Sequence, residues 1–308
     1  MLAIVAPGQG AQTPGFLTPW LEVPGVRRRL AAYSESAGLD LITLGTDADA
    51  ETIRDTAVAQ PLLTAAALVA AEVIFGDLAG PAIPAVVAGH SVGEFAAAAL
   101  AGVLRPEEAV ALVAERGRAM AEASAVTPTG MLAVLGGDPD EVAAALERHG
   151  LVAANHNGAG QVIAGGTTGQ LDALRAAPPA GARLRPLAVA GAFHTPHMAP
   201  AAERLAAAAR DLRPEDPRTP LLSNHDGTLV TSGAEYLRRL VVQVTSPVRW
   251  DACQDTLAGL GVTTLVELPP AGTLVNLARR ALPGTTGHAV KTPADAGAVR
   301  ELFAVETV

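Results

Sequence analysis

The sequence predicts an α/β protein: a large domain on a parallel sheet with helices on both faces, interrupted by a small insert of order β-α-β-β-α-β. Three observations predict it. Apolar runs of strand length alternate with helical stretches through residues 2–123. Residues 131–189 switch to strand, helix, strand, strand, helix, strand. Alternation of the first kind resumes after Gly191. With 308 residues, 49% of them hydrophobic, the chain can bury a sizeable core. Aromatic residues are only 3%, so that core must be built from Ala, Val and Leu.

In chain order, residues 2–6 read as a first buried strand ending in the turn Pro7-Gly8-Gln9-Gly10-Ala11-Gln12. A long helix is expected over Asp55–Phe75, a strand over Ala85–Ala88, then a sharp turn and a helix from Glu94 to Leu100. Another helix should cover Pro106–Ala123. The turn-rich stretch Ala125–Gly130 marks the change of pattern. Beyond it, Met131–Leu135, Leu151–Asn155, Gln161–Ala164 and Ala182–Val189 read as strands, with helices over Pro139–His149 and Thr168–Ala176. That is the ferredoxin-like order, and it places an insert at residues 126–188 within a large domain of residues 1–125 and 189–308. Helices near 197–211, 234–245 and 248–259, a strand at Thr263–Leu268 and a helix at Thr273–Leu282 complete the large domain. Asp226-Gly227 reads as a tight turn between Leu221-Leu222 and Leu229-Val230.

A formal net charge of −9 argues against a general nucleic-acid or membrane-surface protein, which needs a positive face. An anionic ligand would need a local basic site instead. Lys291 is the only lysine, so arginine carries nearly all the positive charge. Cys253 is the only cysteine, which excludes an intrachain disulfide and any multi-cysteine metal site and fits a reducing cytoplasm. Leu2–Ala6 is too short for a signal segment, and Leu62–Phe75, interrupted by Glu72, reads as a core helix rather than a membrane span. Nothing demands more than a monomer.

The chemistry is carried first by Gly89-His90-Ser91-Val92-Gly93, set between strand and helix. A serine on such a turn stands clear of the sheet, and flanking glycines tolerate the close backbone approach. This is the nucleophile elbow of an α/β-hydrolase-like domain, with Ser91 as candidate nucleophile. It also sets the Val92 amide at a helix N-terminus, where N–H groups and the helix dipole favour a developing oxyanion. The plainer alternative is a serine helix cap between two glycines. A serine needs a base, and of seven histidines His194 stands where the chain returns from the insert to the large domain; His197 is a near neighbour that could be confused with it.

From residue 3 to about 282 the chain resembles the malonyl-CoA:acyl carrier protein transacylases and the related acyltransferase domains of polyketide synthases. The resemblance rests on Pro7-Gly8-Gln9-Gly10-Ala11-Gln12, Gln60-Pro61, Gly89-His90-Ser91-Val92-Gly93-Glu94, Arg116-Gly117, Asn155-His156-Asn157, Gln161-Val162-Ile163, Gly191-Ala192-Phe193-His194, Ser223-Asn224-His225-Asp226-Gly227, Gln243 and Pro247-Val248-Arg249-Trp250. It implies that Ser91 carries the acyl group and that His194 is its base. The backbone carbonyl of Gln243 would orient the imidazole, and the amides of Gln9 and Val92 would form the oxyanion hole. Arg116 would hold the free carboxylate of a malonyl group. Gln60 and Gln161 would line the substrate pocket, though a polar structural role is equally open. Phe193 would fill the space of an α-methyl group and so suit malonyl. The implied partners are malonyl-CoA and an acyl carrier protein, with no metal or bound cofactor. Asn157-Gly158-Ala159-Gly160-Gln161 and Pro269-Pro270-Ala271-Gly272 depart from the family pattern and put only loop shape in doubt.

The rival reading is a patatin-like serine acyl hydrolase with Asp226 as its catalytic carboxylate. It leaves Gln9, Arg116 and His194 without a purpose. A carrier-binding scaffold without catalysis would predict a broken Ser–His pair.

Overall fold

The computed structural model describes residues 1–306. It opens with β1 (Leu2–Ala6), then α1 (Val26–Ala37), α2 (Leu41–Thr46) and α3 (Thr56–Phe75), followed by β2 (Val86–Gly89), α4 (Gly93–Ala101) and α5 (Pro106–Val126). The middle of the chain forms β3 (Thr129–Gly136), α6 (Pro139–Arg148), β4 (Val152–Gly158), β5 (Gln161–Thr167), α7 (Thr168–Ala176) and β6 (Ala182–Pro186). The last third forms α8 (Ala199–Ala209), α9 (Gly233–Val242), β7 (Val248–Arg249), α10 (Trp250–Gly259), β8 (Thr264–Glu267), α11 (Thr273–Ala281), β9 (Thr286–Ala289) and α12 (Pro293–Glu306).

Two sheets result. The first has the order β2-β1-β8-β9 with every pair parallel. β1 and β2 are nearly continuous apolar runs because helices cover both faces. One layer packs Ile4, Val87 and Val266 against α3, α4 and α5; the other packs Val5, Val86 and Leu265 against α10 and α11. By length and composition α3 could cross a membrane, but it is buried among α1, α4, α5 and α12.

The second sheet has the order β6-β3-β5-β4-β7. Its first four strands are antiparallel neighbours in the ferredoxin-like arrangement, backed by α6 and α7 through Leu132, Val134, Leu146 and Leu174. The fifth strand comes from the far end of the chain: Val248 and Arg249 pair in parallel with Asn155 and His156. These two residues were expected to start a helix. Val248 follows Pro247, and the Arg249 N–H goes to Asn224 O at 2.7 Å, so the helix begins only at Trp250. The strand β6 likewise differs from expectation, ending at Pro186, three residues short. Leu187 then bonds back to Met131 O, and Leu187 and Val189 turn towards the cleft between the sheets. The Asp226-Gly227 turn is present, with Leu222 bridged to Leu229 and Gly227 at φ 76°.

Candidate active site

The elbow is a steric necessity. A Cβ on Gly93 would lie 2.1 Å from Ala6 O, and one on Gly89 would lie 2.2 Å from the Glu94 nitrogen, so only glycine lets α4 start so close to β1 and β2. Between them Ser91 sits at φ 53°, a left-handed conformation that costs a non-glycine residue energy and turns the side chain out over the carboxyl ends of the strands. Ligands of open parallel sheets bind at that end.

Ser91 Oγ is 2.7 Å from His194 Nε2, and His194 Nδ1 is 2.8 Å from Gln243 O. A carbonyl can only accept, so Nδ1 carries the proton, and Nε2 is left to accept from the serine hydroxyl. Burial, with the Arg116 cation next in weight, pushes the His194 imidazole down to about 3, which keeps the ring neutral at pH 7. His194 is itself held at φ 60° by the segment that enters the first layer again after β6. His197 is exposed in the turn beyond it and makes no contact with Ser91.

Arg116, on α5, is 1% exposed. Its Nη1 donates to Gln60 Oε1 at 2.7 Å, and its Nη2 donates to Gln243 Oε1 at 2.7 Å and reaches Ser91 Oγ at 3.3 Å. Its Nε is buried with no partner among the described residues. The guanidinium lies over the Phe95 ring at 5.6 Å. Burial lowers its pKa to about 10, so it stays charged at neutral pH. The site thus sets a buried cation with one donor unsatisfied beside a serine oxygen.

A cleft of about 240 Å³ opens over Ser91 and His194, lined by Gly8, Gln9, Asn157, Gln161, Phe193 and Leu277 among others. Gln9 follows β1, and its side chain donates to Arg54 O at 2.9 Å, which anchors the loop carrying its amide. Val92 is the N-terminal cap residue of α4 and has no side-chain cap bond. Gln161 and Phe193 stand in the cleft wall as expected. Gln60 does not: it lies behind Ser91, 2% exposed, with its oxygen on Arg116 and its nitrogen on Met120 Sδ. An α3 buried on every side gives no periodic sign of which face meets the cleft.

His90 ties the two sheets together. Its Nε2 donates to Asn157 Oδ1 at 2.9 Å, and its ring edge meets Trp250 at 5.6 Å between centroids. Asp226 is spent on its own turn, accepting from Thr228 and Arg239, and is not bonded to His194 or Ser91. Two features went unread in the sequence. One is the side chain of Gln243, which meets Arg116, Ser91 O and Glu94 at once; the other is Glu94 itself, a carboxylate buried in the first turn of α4.

A parallel α/β sheet, an elbow serine paired with a histidine and a buried arginine beneath them define the class: a serine enzyme of the acyl-group-transferring kind. Residues 4–297 match the acyl transferase domain family, and the chain belongs to that family. It is 54% identical over 295 residues to the malonyl CoA-acyl carrier protein transacylase of Mycobacterium bovis, covering 96% of this chain and 98% of that one. The crystal structure of MCAT from Mycobacterium tuberculosis superposes with a TM-score of 0.92 at 52% identity, covering 97% of this chain and 99% of the other. A malonyl-transacylase solved in complex with its type II PKS acyl-carrier protein superposes at 0.89 and 32% identity, covering 98% and 99%.

Proposed function

We propose that this chain transfers a malonyl group from malonyl-CoA to the phosphopantetheine thiol of an acyl carrier protein through an ester on Ser91. In the first half-reaction the Ser91 proton passes to His194 Nε2 as Oγ attacks the thioester carbonyl. The oxyanion of the tetrahedral intermediate is held by the amides of Gln9 and Val92. Its collapse expels the CoA sulfur, which takes the proton from His194. In the second half the carrier thiol gives its proton to the same nitrogen and attacks the ester carbonyl, and collapse of the intermediate releases Ser91 Oγ, which takes that proton back from His194. Gln243 O holds the imidazole in the required tautomer throughout, so a dyad suffices. Arg116 binds the free carboxylate, and Phe193 closes the wall where an α-methyl group would project. The first four strands of the second sheet, which we assign to an insert at residues 126–188, form the other side of the cleft.

The observation that carries this reading is Arg116: a buried cation 3.3 Å from Ser91 Oγ, with Nε unsatisfied, serves a dicarboxylic half-thioester and serves no purpose for a neutral acyl ester. Relatives of the same length named as malonyl transacylases, one solved on its carrier protein, support it. The test is transfer of labelled malonyl from malonyl-CoA to a phosphopantetheine-bearing carrier protein, compared with release of free malonate when the carrier is omitted. Transfer much faster than release is expected; equal rates, with activity on long-chain lipid esters, would favour a hydrolase.

A further inference from the structure

None of the steps above uses Glu94. It is 1% exposed and stands three residues after Ser91. Its Oε1 accepts the Asn224 N–H at 2.7 Å, and its Oε2 accepts from Gln243 Nε2. The same Nε2 also donates to Ser91 O at 3.1 Å, so the amide nitrogen faces oxygens only, and the amide oxygen is left towards Arg116 Nη2 at 2.7 Å. An amide turned through half a rotation would fill the same space but point N–H groups at the guanidinium. An ionised carboxylate at position 94 forbids that turn, because it can accept and has no proton to offer. We propose that Glu94 is a positioning residue that acts through the Gln243 side chain to aim Arg116 at the acyl carboxylate. Gln60 Oε1 holds the other nitrogen, Nη1, and the two amide oxygens together leave the Ser91-facing edge of Nη2 for the ligand. The inference rests on the malonyl reading of the site.

Glu94→Gln tests it with almost no change of shape. The new amide keeps an oxygen for the Asn224 N–H and puts an N–H where Oε2 had accepted, so Gln243 must turn over or lose its bond. The measurement is kcat and KM for malonyl-CoA and for acetyl-CoA, with transfer to carrier protein, in the wild type, E94Q, Q243M, the double variant and R116A. It is made at pH 8, since burial pushes Glu94 up to about 7. In E94Q, malonyl kcat/KM should fall at least about tenfold more than acetyl kcat/KM, chiefly through the malonyl KM. The double variant should be no less selective than Q243M alone, because Glu94 acts through the amide that Q243M has already removed. Equal losses for both substrates, or effects of E94Q and Q243M that multiply, would overturn the proposal. Should E94Q fail to fold, an unchanged malonyl-to-acetyl ratio in Q243M overturns it equally. A collapsed ratio in R116A with an unchanged one in E94Q sinks this inference alone; an unchanged ratio in R116A sinks the malonyl reading with it.

Discussion

Arg116 Nη2 stands 3.3 Å from Ser91 Oγ, so a full positive charge and the hydroxyl proposed to carry the acyl group share one dry corner. On the proposed reading an acyl group esterified there meets the cation, and one ending in a carboxylate pairs with it. Arg116→Ala should therefore cost malonyl transfer about a hundredfold or more while raising activity on acetyl-CoA relative to malonyl-CoA. Competition between the two thioesters reads the ratio directly; an unaltered ratio would mean that the arginine is structural.

His194 should be needed for rate and not for fold. Replacing it with Gln removes the nitrogen that accepts the serine proton and should slow acylation by about 10²–10⁴-fold, with the thermal midpoint little changed. The exposed His197, changed to Gln, should leave the rate as it was. The reverse pattern, followed by stopped-flow release of CoA, would mean that the wrong histidine has been assigned.

Stability should carry the mark of the same imidazole. Burial pushes His194 from 6.5 down to about 3, so between those values the unfolded chain binds the proton and the folded one does not. Its contribution to stability is full above the unfolded value and declines as pH falls through that window. Glu94 works in the opposite sense. Raised from 4.5 to about 7, it holds a proton that the unfolded chain has released, so its contribution is full below 4.5 and is lost as pH rises. His194→Gln removes the first slope and keeps the second. In urea titrations at about pH 6.5 and about pH 5, the wild type should lose stability relative to the variant on acidification. A constant gap between the two would contradict a neutral, buried His194.

The elbow predicts a contrast between two glycines. Gly93→Ala drives a methyl group to within 2.1 Å of Ala6 O and should unfold or severely destabilise the chain. Gly169, in the first turn of α7, has no atom within 4 Å of its missing Cβ, and alanine there should add roughly 0.5–1 kcal/mol. Similar denaturation midpoints for the two variants would discard the steric account.

What could be read from the sequence was whatever is written in consecutive residues. The Val86–Gly89 strand, the turn and α4 are local, as is the β-α-β-β-α-β order of residues 129–186, and both lie where expected. The helix α1 was passed over although Val26, Leu30, Tyr33 and Ala37 mark a buried stripe, because it begins at Gly25 in a left-handed conformation rather than at a Ser or Asp cap. The strand β9, two exposed and two half-buried residues at the sheet edge, carries no apolar signature at all. The strand β7 exists only because it meets β4 across the fold. The hardest features were the pairings of Glu94, Gln243 and Arg116: hydrogen bonds between residues more than a hundred positions apart leave no periodicity to read.

The central claim is that a malonyl group rides on Ser91 between two thiols. The most direct measurement is intact mass and peptide mapping after brief mixing with malonyl-CoA, repeated after adding a phosphopantetheine-bearing carrier protein. The expected result is one malonyl adduct on the peptide containing Ser91, absent in Ser91→Ala, which disappears on addition of carrier as malonyl appears on the carrier thiol. An adduct on another residue, or one lost to water equally fast with and without the carrier, would contradict it.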